Sequence, residues 1–440
     1  MRRSASSGEV TPTHSHSLDR ERPLPPAVAF DPLSPSQLAD PYELYAAARR
    51  EQPVFYSELY ELWVVTRYED VVAVTKDHAT FSSADAVRSS PRPLAPAVAA
   101  ALADGYPLSP TMTDSDEPMH SRLRGLVNTA FTHRRVAGLE PLIHATSDRL
   151  IDQFCRRGQA DVIDEFGWSL PLAAIAAILG MPEDDLPELH HWSYQWLQLL
   201  QATDPEEDLV RYAQGVVAMQ RYFVRALEDR ARRPREDLAS ALLSARIEGE
   251  QPLSVEEAMR VAMNLVIAGH VTVTRAIGNA VVLLADRPEA QAQLRGEPSV
   301  VQAVVEETLR LESPAQGLFR TTTREVTVGG VTLPKGARVM VHYGAANRDG
   351  AVFGDPDRMD PERTELMRHL AFGKGIHVCV GAPLARLELR VALPRLFERL
   401  PGLRLDPERP PERDTIFFAR GFKHVFVNWD VQCGPSAARI

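Results

Sequence analysis

Residues Phe372-Gly-Lys-Gly-Ile-His-Val-Cys379-Val-Gly381 constrain this chain more than any other stretch. Glycines at 373 and 375 let the backbone turn tightly and approach another group closely. Cys379 stands just before a segment whose apolar positions include Leu384, Leu387 and Val391, spaced for a helix. A thiol at a helix N-terminus is favoured as thiolate by unpaired amides and the helix dipole. Thiolate is the form a soft metal ligand must take. One cysteine cannot build a tetrahedral zinc site, but it can be the sole protein ligand to an iron already held by a porphyrin. Taken alone, the same residues also describe a buried cysteine beside a glycine-rich turn.

The rest of the chain must be large enough to enclose such a group. Its 440 residues allow one large domain or roughly three ordinary ones. Hydrophobic residues at 44% and charged residues at 25% exclude a wholly disordered, collagenous or coiled-coil chain. A formal charge of -10 gives no global pull toward nucleic acid or an anionic membrane. Cys155, Cys379 and Cys433 are too few and scattered for a disulfide scaffold, which fits a reducing cytoplasm. No run approaches the roughly 18 uninterrupted apolar residues of a membrane span. Residues 1–30 carry Arg2, Arg3, Arg20 and Arg22 among Ser, His and Pro, and lack the apolar block of a secretory signal. They read as a disordered lead-in, with His14 and His16 solvated, ahead of one domain over 31–440.

Within that domain, Asp40-Pro41 opens a helix that runs through Tyr42–Arg50. Val54–Tyr56 and Leu62–Thr66 are expected strands. Residues 84–112, with five prolines, read as an irregular lid or binding element. From about 117 to 312 the pattern is helical. Ser254-Val-Glu-Glu257 matches a capping box, and its helix should run to about Ala285, roughly 45 Å. Short strands are expected at Val326–Val331 and Ala337–His342, then an irregular segment over 344–370 and a last helix from near Val380. The fold class is mainly α with small β-sheets.

The segment ending at Gly381 resembles, without departure, the F-G-x-G-x-H-x-C-x-G loop of the cytochrome P450 family, the haem-thiolate monooxygenases. The resemblance runs from about Asp40 to Val427 and is nearest the soluble bacterial members. It implies haem b buried between the long central helix and the helix after the cysteine. Cys379 would be the axial ligand, Phe372 would pack near the sulfur, Gly381 would belong to the haem-binding loop, and His377 would bond a propionate. His120-Ser-Arg-Leu-Arg124 resembles the family's H-x-x-x-R pair, whose spacing puts both side chains on one helix face. Arg320 matches a further propionate position. Arg122 faces elsewhere and carries no role. Glu307-Thr-Leu-Arg310 resembles the E-x-x-R motif, and Arg363 in Asp360-Pro-Glu-Arg363 its third member, supporting the haem core.

Ala268-Gly269-His270-Val271-Thr272 resembles the oxygen-binding A-G-x-(Asp/Glu)-T motif with one departure. Gly269 is expected to leave room for oxygen and Thr272 to donate its hydroxyl. Val271 replaces the acid of the proton relay. Water and Thr272 suffice, the substrate supplies a polar group, the reaction is atypical, or Val271 merely packs; these readings stay open. His270 is expected to face away, and Thr274 lies about 200° round the helix from Thr272.

With no flavin, iron–sulfur or G-x-G-x-x-G segment, the resemblance implies electrons from NAD(P)H through a separate ferredoxin and reductase. Lys374, Arg368 and Arg395 are their docking patch or else a solvated face. Substrate choice is expected to fall to residues 84–112, 190–225 and 313–319, with Asn264, Ile267, Val271, Leu318 and Phe319 as pocket walls. Among Trp192, Tyr194 and Trp196, one or two line an access lid. The expected activity is hydroxylation, epoxidation or dealkylation of a mid-sized, largely apolar small molecule in bacterial specialised metabolism or catabolism. The expected protein is cytoplasmic and monomeric, without nucleic-acid or membrane partners. The alternatives are an atypical reaction (peroxide-driven oxidation, ring closure or oxidative coupling) and a non-catalytic haem-based ligand binder.

Overall fold

A computed structural model describes residues 29–89, 93–295 and 298–431, so His14, His16, Cys433 and most of the expected lead-in lie outside the described residues. Phe30, the last residue of that lead-in, is buried against Phe55, Tyr60 and His342. The folded body thus already includes it.

Helix α1 (Tyr42–Glu51) leads into β1 (Val54–Ser57) and β2 (Leu62–Val65), an antiparallel pair. After α2 (Tyr68–Lys76) and β3 (Phe81–Ser82) come α3 (Met119–Ala130), α4 (Glu140–Phe154), α5 (Ser169–Leu179), α6 (Leu186–Gln201) and α7 (Glu206–Arg232). The region read as irregular contains a helix, Pro96–Ala103. Pro96 sits in its first turn, where proline is tolerated, and an alanine-rich run follows.

Helix α8 (Val255–Ala285) spans 31 residues, and both bonds of the Ser254–Glu257 capping box form. It is long and apolar enough to cross a membrane, but most of it is buried inside the protein. Helices α5 and α7 pack on it, as do α9 (Pro298–Leu311) and, beyond β4 (Leu318–Thr322) and β5 (Arg338–Val341), α10 (Ala382–Arg399). A helix surrounded this way is the core of a helical domain.

The five strands form one sheet in the order β1-β2-β5-β4-β3, in which only β2 and β5 run parallel. Phe55, Leu62, Val64, Phe319 and Met340 pack on one face with Phe30 and Phe417. Short antiparallel pieces elsewhere tie the chain's late segments to the helical body, as Phe426–Asn428 does to Gln159–Asp161.

Candidate functional site

The Cys379 loop turns as its glycines require, with φ of +70° at Gly373 and +76° at Gly375. A Cβ at 375 would lie 2.3 Å from the Thr75 carbonyl oxygen, so α2 and the loop touch through bare backbone. Cys379 N–H donates to the Phe372 carbonyl at 2.9 Å, closing the loop. Protein atoms crowd the thiol, yet its residue stays accessible; both hold for a side chain on the wall of an interior space. Burial pushes its pKa up, opposed by the Gly381 and Ala382 amides and by Arg124. The two amides at the start of α10 act in the direction expected of a helix N-terminus, favouring the thiolate against burial.

Behind the loop lies the ion network. Arg310 donates to both Glu307 oxygens at 2.7 Å, and both side chains are fully buried. Asp360 N–H donates to Glu307 at 2.9 Å and Arg363 reaches it at 3.4 Å. Arg310 also ties the Asn347 and Pro356 carbonyls, which pins the irregular 344–370 segment against α9.

Sequence reasoning missed a second cluster next door. Glu306 takes His369 at 2.8 Å and Arg386 at 2.6 and 2.9 Å. Burial works to raise its pKa, but these two partners outweigh it and hold the carboxyl down at about 2. Arg386 then lies 4.4 Å over the Phe372 ring, fixing that side chain. The only sequence signal was a second acid beside Glu307.

On α3, His120 is buried and both ring nitrogens lack a hydrogen-bond partner; Glu117 is 3.7 Å away, beyond hydrogen-bond reach. Its ring centroid is 4.1 Å from that of His377, which shares a 2.9 Å bond with Ser83 Oγ. Arg320 is buried with one bond, to its neighbour's carbonyl. Arg124 donates to the Val378 carbonyl at 2.7 Å. Burial, then Arg320 and His120, hold the His377 pKa down at about 3. Two imidazoles and a buried guanidinium without an acid partner make a site for an anionic group. Among the described residues no cluster of three or more His, Cys, Asp or Glu could hold a bare metal ion. These residues fit a prosthetic group that brings its own metal and carboxylates.

The long helix keeps Asn264, Ala268, Val271 and Thr272 partly accessible along one stripe, while Ile267 is almost fully packed in the core. Thr272 Oγ1 donates to the Ala268 carbonyl at 3.0 Å, and Asn264 Oδ1 accepts from Thr113 at 3.2 Å. Gly269 does not face this stripe. A Cβ there would lie 3.0 Å from Ile175, so its smallness admits α5, and Ala268 is the open position. His270 is buried with Nδ1 on the Val266 carbonyl at 2.8 Å, and Thr274 bonds the His270 carbonyl.

Two further expectations are corrected. Phe319 is no pocket wall: strand alternation puts Leu318 and Arg320 on one face and turns Phe319 into the core, stacked 5.9 Å from Phe417. Arg395 is no free cation, because Asp148 and Glu398 neutralise it. Lys374 and Arg368 remain exposed, the latter over Tyr68. Trp196 is buried, Trp192 packs 5.5 Å from Tyr222, and Tyr194 is half exposed. Arg122 pairs with Glu257, away from the site.

A buried core helix with an open stripe, a thiol in a glycine-turned loop and cations without an acid partner are the residues that a haem protein of the cysteine-ligated class requires. Residues 207–418 match the family described as Cytochrome P450. The chain is 39% identical over 391 residues to cytochrome P450 107B1 of Saccharopolyspora erythraea, covering 87% of this chain and 92% of that one. It is 36% identical over 415 residues to the cytochrome P450 monooxygenase PikC of Streptomyces venezuelae, covering 92% and 95%. The structure of CYP109Q5 from Chondromyces apiculatus superposes with a TM-score of 0.82 at 36% identity, covering 92% and 99%. The chain belongs to the cytochrome P450 family and is a P450 monooxygenase. Its cofactor is haem b, and redox partner proteins supply its electrons to O2.

Proposed function

We propose that this monooxygenase takes NAD(P)H-derived electrons from a ferredoxin and its reductase. With them it hydroxylates, epoxidises or dealkylates a mid-sized small molecule in bacterial specialised metabolism or catabolism. It works as a cytoplasmic monomer, with residues 31–440 as one haem domain. Cys379 is the axial ligand. His120, Arg124, Arg320 and His377 hold the propionates, and Phe372 and Gly381 shape the loop beneath. The observation that carries this reading is the convergence at the Cys379 loop of His120, both of whose ring nitrogens lack a partner, with His377, Arg124 and Arg320, none of which hydrogen-bonds an acid.

When bound, haem b with thiolate ligation supplies reductive activation of O2 for insertion of one oxygen atom into the substrate. The chain's residues do the rest. Glu307, Arg310 and Arg363 lock the segment behind the loop, so the thiol is held in position before any ligand arrives. Ala268 leaves open space along α8. The Thr272 hydroxyl rotates from the Ala268 carbonyl to hold or pass a proton at Oγ1. Val271 carries no proton, so water must serve Thr272. Asn264 and Leu318 face the substrate. Lys374 and Arg368 give an acidic ferredoxin a positive contact. A second reading, peroxide-driven oxidation, ring closure or oxidative coupling in the same pocket, is favoured by Val271 alone.

Reduced-CO difference spectroscopy on wild type and Cys379→Ser tests the ligand. The thiolate-type carbonyl band should be present in the first and lost in the second; its survival in Cys379→Ser would overturn the assignment. Turnover with ferredoxin and NADPH, set against turnover with peroxide, separates the two reactions.

A further inference from the structure

We propose that Asn264 is a specificity-determining residue. Its side-chain amide donates to an uncharged carbonyl oxygen carried by the substrate, at the end remote from the carbon that is oxidised. This names a substrate class for the site proposed above and rests on that reading.

Asn264, Ala268 and Thr272 follow one another at intervals of four on α8, so they share the accessible stripe of a helix that is otherwise mostly buried. Earlier on the same stripe the helix is covered by the 105–115 segment. Arg260 reaches the Pro107 carbonyl at 3.5 Å, and Thr113 Oγ1 donates to Asn264 Oδ1 at 3.2 Å. Beyond Asn264, no hydrogen bond among the described residues ties that segment to α8, and Ala268 is exposed. Asn264 therefore stands where the cover ends and the open stripe begins. The cover is itself held in place, because Asp114 accepts from Thr111 N–H at 2.6 Å and from Thr111 Oγ1 at 2.7 Å. The backbone of Met112, next to Thr113, hydrogen-bonds His377 of the Cys379 loop. The open stripe thus borders the cysteine side at Asn264 as well as at Thr272.

Of Asn264, Ala268, Val271 and Thr272, only the first and last have polar side chains. The Thr272 hydroxyl is held on the Ala268 carbonyl at 3.0 Å. With Oδ1 turned to Thr113, Asn264 presents Nδ2, and no acceptor among the described residues takes it. A primary amide nitrogen carries two N–H donors. An apolar substrate that covered them without an acceptor would lose the hydrogen bonds they make to water, whereas a carbonyl placed against them recovers one.

The same surroundings say why the acceptor is uncharged. The amide is neutral, and the cation one turn earlier on the stripe, Arg260, is already paired with Glu256. Nothing at Asn264 offsets the desolvation of a carboxylate. Eight residues separate Asn264 from Thr272, about 12 Å along the helix axis. The recognised oxygen and the reacting carbon therefore lie toward opposite ends of the ligand.

The test uses holoenzyme read by haem spin-state titration. The probes are straight-chain methyl ketones from 2-octanone to 2-hexadecanone and the 2-methyl-1-alkenes that replace their C=O by C=CH2. At the best-fitting lengths the ketone should bind about fivefold tighter than its alkene, and the alkanoate of the same length no tighter than the ketone. Asn264→Leu should erase the ketone preference while leaving alkene affinity within about twofold. Asn264→Asp, which keeps the size but loses both donors, should erase it too. Oxidised ketones should carry the new oxygen on the half of the chain remote from the carbonyl. Equal binding of ketone and alkene, no spin shift with any ketone, tighter binding of the alkanoates, or equal weakening of ketone and alkene by Asn264→Leu would overturn the proposal. Loss of haem from Asn264→Leu in a transfer assay would assign the amide to the cofactor and overturn it as well. The ferrous-carbonyl band of each variant reports the haem–thiolate assignment separately. Should that band be absent, equilibrium dialysis with the same ketones and alkenes still reads Asn264.

Discussion

Glu307 and Glu306 sit side by side on α9, and the described hydrogen bonds bring four groups to the pair from outside their own helix: Asp360, Arg363, His369 and Arg386. Other buried groups are left open: His120 has two unpartnered ring nitrogens, Glu388 on α10 two unpartnered carboxyl oxygens, and Trp196 and Ser89 each keep a polar atom unused. Buried polar groups in a finished protein are nearly always satisfied. The difference separates what the chain completes by itself from what it leaves for a ligand. The Glu306–Glu307 network is closed and holds one geometry, and the cation site at His120 and Arg320 is a set of half-made contacts.

The sharpest way to break this comparison removes one arginine from each side. Arg310→Leu leaves Glu307 charged and buried with Arg363 only at 3.4 Å, and should cost about 3–5 kcal/mol in urea unfolding. Arg320→Leu strands no protein acid. Its apoprotein should unfold within about 1 kcal/mol of wild type, while haem retention in a transfer assay falls. Equal losses of apoprotein stability in the two variants would erase the distinction between scaffold and site.

Neighbouring positions on α8 sharpen it further. Gly269→Ala pushes a methyl to 3.0 Å from Ile175 and should cost about 1–3 kcal/mol by overpacking. Ala268→Val adds bulk toward open space, so stability should hold within about 0.5 kcal/mol while ligand-induced spin shifts weaken. If stability and spin response moved together in both variants, the two residues would not face different surroundings.

These adjacent residues also mark where the sequence was legible. The Cys379 loop, Glu307-x-x-Arg310 and His120-x-x-x-Arg124 were readable because their content is local spacing, and the structure pairs Arg310 with Glu307 as that spacing implied, whereas His120 beside His377 joins distant segments that only the family resemblance brought together. Gly269, Phe319 and Arg395 were misjudged because each depends on a distant neighbour: Ile175, Phe417 and Asp148. The Glu306–His369–Arg386 cluster joins three segments and leaves no pattern in any of them. The helix Pro96–Ala103 was hidden because prolines signal irregular chain more strongly than alanines signal helix.

Titration separates the two sides by a smaller energy. His270, on the packed side of α8, has its pKa held down at about 3, chiefly by burial. The unfolded chain binds that proton near pH 6.5 and the folded chain does not. Stability present above pH 6.5 is therefore lost as pH falls toward 3, by about 1.4 kcal/mol per unit from this residue. Urea midpoints across the acid range should show the slope easing by about one proton in His270→Leu. The same easing should appear with and without haem, since His270 is turned away from the site. An unchanged slope would mean that the proton is taken up without unfolding.

Val271→Glu should move stability least and is the finest probe of the open side. Val271 is partly accessible, and its carbonyl already accepts from Arg275, whose other end meets Asp414. A glutamate four residues before Arg275 is a favourable helix pairing, so stability should change by less than about 0.5 kcal/mol. The new carboxyl would lie one residue from Thr272, on the same stripe, and supply the acid that valine lacks. If proton supply limits the wild type, product formed per NADPH consumed should rise in Val271→Glu and fall in Thr272→Ala. A rise requires the added carboxyl to reach water on the Thr272 side instead of being held by Arg275. Coupling left unchanged by the glutamate would assign Val271 to packing, and the open stripe of α8 would then be completed by water and substrate alone.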